Sequence, residues 1–162
     1  MESPEQLTDG DIEFTERAKL DFSFFSEYIF PYSFRNYTEP KHMIEWAKDL
    51  QYNKKTAMLS ARKHLKSTLM YDYIMWRIFR QESEDWLYMS YTEPLSRYHT
   101  SNIKKCIRVN PFFKGIKELS DAESVLKYTW NNKDLFTVMP ASISRFNRGW
   151  HGYGVICDDI LA

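Results

Sequence analysis

Glycine is scarce in this chain, with five residues in 162, and cysteine scarcer still, with two. So little glycine argues against a flexible linker or a low-complexity chain. Cys106 and Cys157 stand far apart, without metal-ligand spacing, so neither a disulfide framework nor a zinc knuckle is indicated. The simpler reading is a reduced, intracellular protein. No apolar run approaches membrane-spanning length, and no basic-then-apolar leader is read in the opening residues. Net charge is absent too: 22 basic side chains balance 22 acidic ones, so no global field draws the chain onto nucleic acid. Any such contact must come from a local patch. Ser/His/Asp catalysis has no support, because His42, His64, His99 and His151 sit in no nucleophile context.

Aromatic residues, in contrast, make up 17% of the sequence, which argues against disorder and is enough to build one domain's core. Residues 1–13 are polar and acidic and read as a loose arm. Phe14, Ala18, Phe22, Phe25 and Ile29 recur at helical spacing, so one helix with an aromatic face is expected from Phe14 to Phe30, stopped by Pro31. A second helix is expected from Pro40 to about Leu50, with Met43, Ile44, Trp46, Ala47 and Leu50 inward.

The most informative stretch follows. An apolar β-like run, Thr56-Ala57-Met58-Leu59, leads into Ser60-Ala61-Arg62-Lys63-His64-Leu65-Lys66-Ser67-Thr68, and a helical pattern runs from about Ser67 to Arg80. Strand, short turn and helix opening on Lys-Ser-Thr form the frame of a phosphate-binding loop, since helix N-termini favour anions. In that frame Lys66 meets the β- and γ-phosphates and the Ser67 hydroxyl ligates Mg²⁺. The usual loop has glycine where this chain has Ser60 and Leu65, which removes left-handed freedom.

Further on, Glu82–Asp85 reads as an acidic loop, Trp86–Tyr91 as a strand, and Thr92-Glu93-Pro94 as the start of a helix running to about Val109. Arg97, Lys104, Lys105 and Arg108 lie on that helix, either as a partner-facing patch or, the commoner case, as a solvated face. A short helix is expected around Phe112–Leu119. Two β-like runs, Ser124–Trp130 and Leu135–Met139, flank the turn Asn131–Asp134 as a hairpin. Arg145 and Arg148 precede the final run and read either as phosphate contacts or as surface loop residues. Gly154-Val155-Ile156-Cys157 is a short apolar strand ending in Asp158-Asp159, and ligands of open α/β sheets bind at such strand ends. Asp158 is thereby a candidate for the Mg²⁺ shell, and Asp159 for orienting or deprotonating water. The alternation of strands and helices predicts an α/β fold with a mostly parallel sheet covered on both faces.

These residues resemble a known family. Arg62-Lys63-His64-Leu65-Lys66-Ser67-Thr68 is similar to the arginine-containing, glycine-poor Walker A loop of the large terminase subunits of tailed viruses, which often reads Pro-Arg-Gly-His-x-Lys-Ser-Thr; Lys63 replaces its glycine. Val155–Ile160 is similar to the family's Walker B strand, with Arg148-Gly149 ahead of it. The resemblance implies a P-loop NTPase, a three-layer α/β/α fold truncated C-terminally, with residues 1–36 as arm and aromatic helix and 37–162 as an incomplete ATPase core without the nuclease domain. It implies ATP and Mg²⁺ as cofactors, Tyr37 and His42 beside the adenine, and Arg62 forking onto phosphate oxygens. It also implies double-stranded DNA, a portal protein and a small terminase subunit as partners, a ring of copies in the full-length protein, and the host cytoplasm as location. The function expected on this basis is ATP hydrolysis driving DNA into a procapsid. A helicase-like translocase and a nucleotide-binding assembly module without turnover remain the alternatives, the latter because Asp159 stands where many relatives carry Glu.

Overall fold

Asp21 divides the expected aromatic helix in two. The computed structural model describes residues 9–58, 65–145 and 150–160, and within them the chain runs α1 (Asp9–Leu20), then α2 (Phe22–Tyr28). Asp21 is extended, and its carboxylate accepts hydrogen bonds from the Phe24 N–H at 3.1 Å and the Ser23 hydroxyl at 2.7 Å. A capping residue in mid-pattern is a stop as well as a start. Gln51 seals the break, accepting from the Phe22 N–H at 2.7 Å and donating to the Leu20 carbonyl at 2.8 Å. Gln51 lies on α3 (Lys41–Tyr52), which follows a 3₁₀ turn at Phe30–Ser33.

The expected strand before the phosphate loop is not formed over Thr56–Met58, which belong to no strand; Leu59–His64 lie outside the described residues. Thr56 and Ala57 are exposed, and the run lacks the β-branched and aromatic side chains that favour a pleated surface after its first residue. Helix α4 then spans Lys66–Phe79, as its periodicity predicts.

The supposed acidic loop at Glu82–Asp85 is half strand. β1 spans Glu84–Ser90, α5 spans Glu93–Val109 with Thr92 as its cap, and a 3₁₀ turn at Pro111–Phe113 with β2 (Lys117–Glu118) replaces the helix expected there. β3 (Leu126–Thr129) and β4 (Phe136–Ser142) are the expected antiparallel hairpin, and β5 is Gly154–Cys157. The sheet order is β2-β3-β4-β1-β5, mixed, with β1 an inner strand parallel to both its neighbours, β4 and β5.

Register places Glu84, Trp86 and Tyr88 of β1 on the same face as Phe136 and Val138 of β4, Leu126 and Tyr128 of β3, and Ile156 of β5. All but Glu84 join one apolar cluster with Phe22, Phe25, Trp76, Ile103 and Phe113 from the helical side. The opposite face is open at Met139, Val155 and Cys157. The second helical layer expected there is therefore not supplied by the described residues. Gly154 is required by close approach: a Cβ there would stand 2.4 Å from the Trp86 ring.

The basic face expected on α5 is largely internal or paired. Lys104 is fully buried, with its ammonium donating to the Ser120 carbonyl at 2.6 Å and the Ala122 carbonyl at 2.8 Å, and pairing with Glu118 at 3.0 Å. Arg108 pairs with Glu118 and Glu123, and Arg97 with Glu93. Lys104 thus fastens the segment ahead of β3 to α5, which is a fold contact and not a patch for nucleic acid.

A candidate nucleotide and metal site

Leu65 has φ 60° and ψ 25°, the left-handed conformation, immediately ahead of Lys66. This is the backbone geometry that glycine usually supplies, here adopted by a leucine at a cost of about 1–2 kcal/mol. Its carbonyl accepts the first helical hydrogen bond, from the Leu69 N–H at 2.9 Å, and the Leu65 side chain, being apolar, caps none of the first-turn N–H groups. Lys66, Ser67 and Thr68 form the first turn and are half-buried. Ser60, Ala61, Arg62, Lys63 and His64 lie outside the described residues, as do Arg148 and the side chain of Arg145.

Positions four apart on a helix share a face. Ser67 is therefore stacked one turn before Tyr71, and the Tyr71 hydroxyl lies 2.6 Å from His99 Nδ1 on α5. His99 in turn stacks on Tyr88 of β1 with ring centroids 5.4 Å apart, and its Nε2 faces Asp158 Oδ2 at 3.9 Å. The Tyr88 hydroxyl donates to that same oxygen at 2.7 Å. Asp158 is buried at the end of β5, and its N–H continues the ladder to the Met89 carbonyl at 2.9 Å. Asp159 is exposed with φ 49°, and its carbonyl accepts from the Tyr91 N–H at 3.0 Å. The two helices and two strands thus converge: the α4 face bearing Ser67 and the β5 end bearing Asp158 meet through Tyr71, His99 and Tyr88.

Burial governs the charge states here. It holds the His99 imidazole below its ordinary pKa, against the opposing pull of Asp158 and Asp159. It raises Tyr71 to about 12 and Tyr88 well above its usual value, the latter with help from Asp158, so both phenols are neutral; Tyr88 donates to Asp158, and the Tyr71 hydroxyl can give or take the proton it shares with His99 Nδ1. Sequence reading missed His99, Tyr71 and Tyr88. The signal was present: His99 shares the helical stripe of Ser96, Ile103 and Cys106, so a histidine falls on the buried face of α5.

Tyr37 and His42, expected beside an adenine, occupy an aromatic edge. Tyr37 packs against Phe34 at 5.0 Å and Phe30 at 6.1 Å, and His42 meets Trp46 edge-to-face at 5.0 Å. Near Tyr37 lies a buried carboxylate pair, Glu39 and Asp72 of α4. The Ser26 hydroxyl donates to Asp72 Oδ2, whereas neither Glu39 oxygen has a well-formed hydrogen bond. Burial pushes Glu39 up to about 7, with Tyr37 and Ser26 nearby pulling the other way. It pushes Asp72 well above the carboxylate range, with Glu39 reinforcing the shift.

A raised folded pKa means that the folded state holds the proton more tightly than the unfolded chain. The associated stability is complete below the unfolded value near 4.5 and is lost as pH rises through about 7. Urea unfolding is accordingly expected to give about 2 kcal/mol more stability at pH 5 than at pH 7.5 from Glu39 alone, using 1.4 kcal/mol per pKa unit. Glu39→Gln should remove most of this slope and stabilise the protein at pH 7.5. An unchanged slope in that variant would assign the dependence elsewhere.

A cleft of about 620 Å³ opens at the carboxyl ends of β1 and β4, with Tyr91, Thr92, Arg97 and Ser142 among its lining. It is not lined by Lys66, Ser67, Asp158 or Asp159, so the convergence described above is a separate feature. No helix among the described residues is long and apolar enough to cross a membrane. Comparison with protein-family models, with curated proteins and with solved structures produced no match.

Proposed function

We propose that this chain carries a P-loop-type nucleotide site that binds Mg·ATP and hydrolyses it, and that it serves as the ATPase part of a viral DNA-packaging motor of the large-terminase kind. The observation that carries the nucleotide reading is the opening of α4: Lys66-Ser67-Thr68 follows directly on a left-handed residue, and the Ser67 face leads through Tyr71 and His99 to Asp158. First-turn N–H groups and the helix dipole favour an anion, Lys66 adds a cation, and Ser67 adds a hydroxyl. The carboxylates of Asp158 and Asp159 are hard oxygen donors of the kind Mg²⁺ takes, so the donor set fits that ion. Mg²⁺ bound with the nucleotide would neutralise phosphate charge. In this reading Asp159, exposed beside the buried Asp158, orients the attacking water. Arg62 is assigned to phosphate, and Tyr37 and His42 to the adenine. The packaging role rests on the resemblance of the Walker A and Walker B segments to those of terminases, and with it come duplex DNA, portal protein, small subunit and a ring of copies.

The test is titration of the chain with a fluorescent ATP analogue and Mg²⁺, followed by steady-state phosphate release with and without duplex DNA. Saturable binding with slow turnover is expected, because phosphoryl transfer needs charge stabilised at several points at once. Zero formal net charge leaves little non-specific attraction to DNA, so weak stimulation is expected as well. No binding at millimolar nucleotide would overturn the P-loop reading, and fast DNA-stimulated release would overturn the expectation of slow turnover.

A further inference from the structure

We infer that His99, Asp158 and Asp159 form a binding site for a first-row transition-metal ion, Mn²⁺, Co²⁺ or Zn²⁺, that accepts the metal without any nucleotide. Their ligand atoms, one imidazole nitrogen and two carboxylate oxygens, all lie within 4.8 Å of one another. An acidic pair at a strand end is not by itself a site. Here the deciding observation is His99: its side chain is 6% exposed, and its Nε2 points at Asp158 with no hydrogen-bond partner. Leaving a buried ring nitrogen unpaired costs roughly 1–3 kcal/mol unless something occupies that position.

The rest of the ring is arranged as a ligating histidine requires. The other nitrogen, Nδ1, is engaged by the Tyr71 hydroxyl at 2.6 Å, a contact that fixes ring orientation and, with Nδ1 as donor, leaves the Nε2 lone pair outward. The Tyr88 hydroxyl holds Asp158 in place at 2.7 Å, and the Tyr88 ring supports the imidazole from one side. Both ligand carriers are therefore positioned by outer partners, one from α4 and one from β1. Asp159 is exposed and gives the ion its entry side. Metal–donor bonds of about 2.0–2.2 Å place neighbouring donors roughly 3–3.5 Å apart, so the 3.9 Å gap between His99 and Asp158 closes by about half an ångström on binding.

The donor set also ranks the ions. Imidazole nitrogen favours the later first-row ions, with affinity rising from Mn²⁺ to a maximum at Cu²⁺ and falling again at Zn²⁺, and it adds nothing for Mg²⁺, which selects oxygen and keeps its waters. This inference stands on these three side chains and is independent of whether Lys66 and Ser67 bind phosphate.

Co²⁺ titration without nucleotide, followed by visible absorption, tests it. One equivalent should bind with d–d bands, Zn²⁺ should displace it, and excess Mg²⁺ should not. His99→Gln should weaken Co²⁺ at least roughly tenfold, as Asp158→Asn should, whereas Lys66→Ala should leave it unchanged. Should the variants fold poorly, wild-type protein carries the test alone: sub-stoichiometric Mn²⁺ should broaden the ring proton signals of His99 before those of His42 and His151. No Co²⁺ binding below millimolar, undiminished affinity in folded His99→Gln, or Mn²⁺ broadening that spares His99 would each overturn the site. Because no nucleotide is present, failure here is distinct from failure of ATP to bind.

Discussion

Glu84→Gln is expected to lower folding stability by about 3–5 kcal/mol, the range for breaking a buried ion pair by removing one partner. The Glu84 side chain is 1% exposed and the Arg77 side chain 6%, so neither charge has water as a substitute partner. Arg77 forks onto Glu84 with both Nε, at 3.0 Å, and Nη2, and the Trp86 indole N–H donates to Glu84 at 2.7 Å. The glutamate thereby joins α4 to the start of β1, an inner strand of the sheet. Gln in its place leaves the buried guanidinium with Glu82, a longer and half-exposed contact, as its remaining carboxylate. Glu82, by contrast, is 47% exposed and 3.7 Å from Arg77, so Glu82→Gln should change stability by well under 1 kcal/mol. Urea unfolding of both variants reads the comparison. Replacing Arg77 and Glu84 together by methionine should recover most of the loss, since the desolvation cost of the pair disappears with its attraction. A Glu84→Gln loss as small as that of Glu82→Gln would mean that the pair is solvated in solution.

Lys66→Ala is the second large effect, and it falls on ligand binding and not on the fold. Loss of a charge-assisted contact of about 1.5–3 kcal/mol weakens Mg·ATP roughly ten- to a hundredfold. Lys66 sits in the first turn of α4, where a cation opposes the helix dipole. Alanine there should therefore leave the circular dichroism spectrum intact and raise unfolding stability by a few tenths of a kcal/mol. A positive charge kept where the helix itself disfavours it is the pattern expected of a residue retained for an anion. Undiminished nucleotide affinity in the folded variant would remove Lys66 from the site.

What the sequence made readable is local. The turn Asn131–Asp134 announces the β3–β4 hairpin, and the Asn131 side chain indeed accepts from the N–H groups of Lys133 and Asp134. Thr92 and Pro94 announce α5, and the period of α4 sets its length. Where one residue can serve two purposes, the pattern misled. Asp21 falls inside an apolar period that runs through Ala18 and Phe22 without a gap, yet it caps a new helix, and Gln51, 30 residues away, completes the joint. Thr56–Met58 is apolar enough for a strand but finds no paired neighbour. Glu84 reads as a loop acid because its partner, Arg77, lies in a different element, and Lys104 reads as a surface cation because its three carbonyl partners lie in the segment ahead of β3. The same blindness hid His99: its period was visible, but its meaning comes from Asp158, on a strand that sequence reading could place only as a candidate.

The position of β1 has a consequence for how the chain assembles. Its two parallel neighbours come late: Glu84 pairs with Phe136 and Trp86 with Gly154, separations of 52 and 68 residues. Closing such loops costs entropy before any ladder forms, which slows folding relative to helices and hairpins. During synthesis the helices from α1 to α4 are complete while β1 still has both edges bare, and the β3–β4 hairpin can zip up before β1 joins it. An apolar strand waiting for partners on both sides is a template for pairing with other chains. The strand that finally joins β4 to β5 is therefore, on the ribosome, the part of the sheet most open to pairing with another chain, until those two neighbours are made and take its edges.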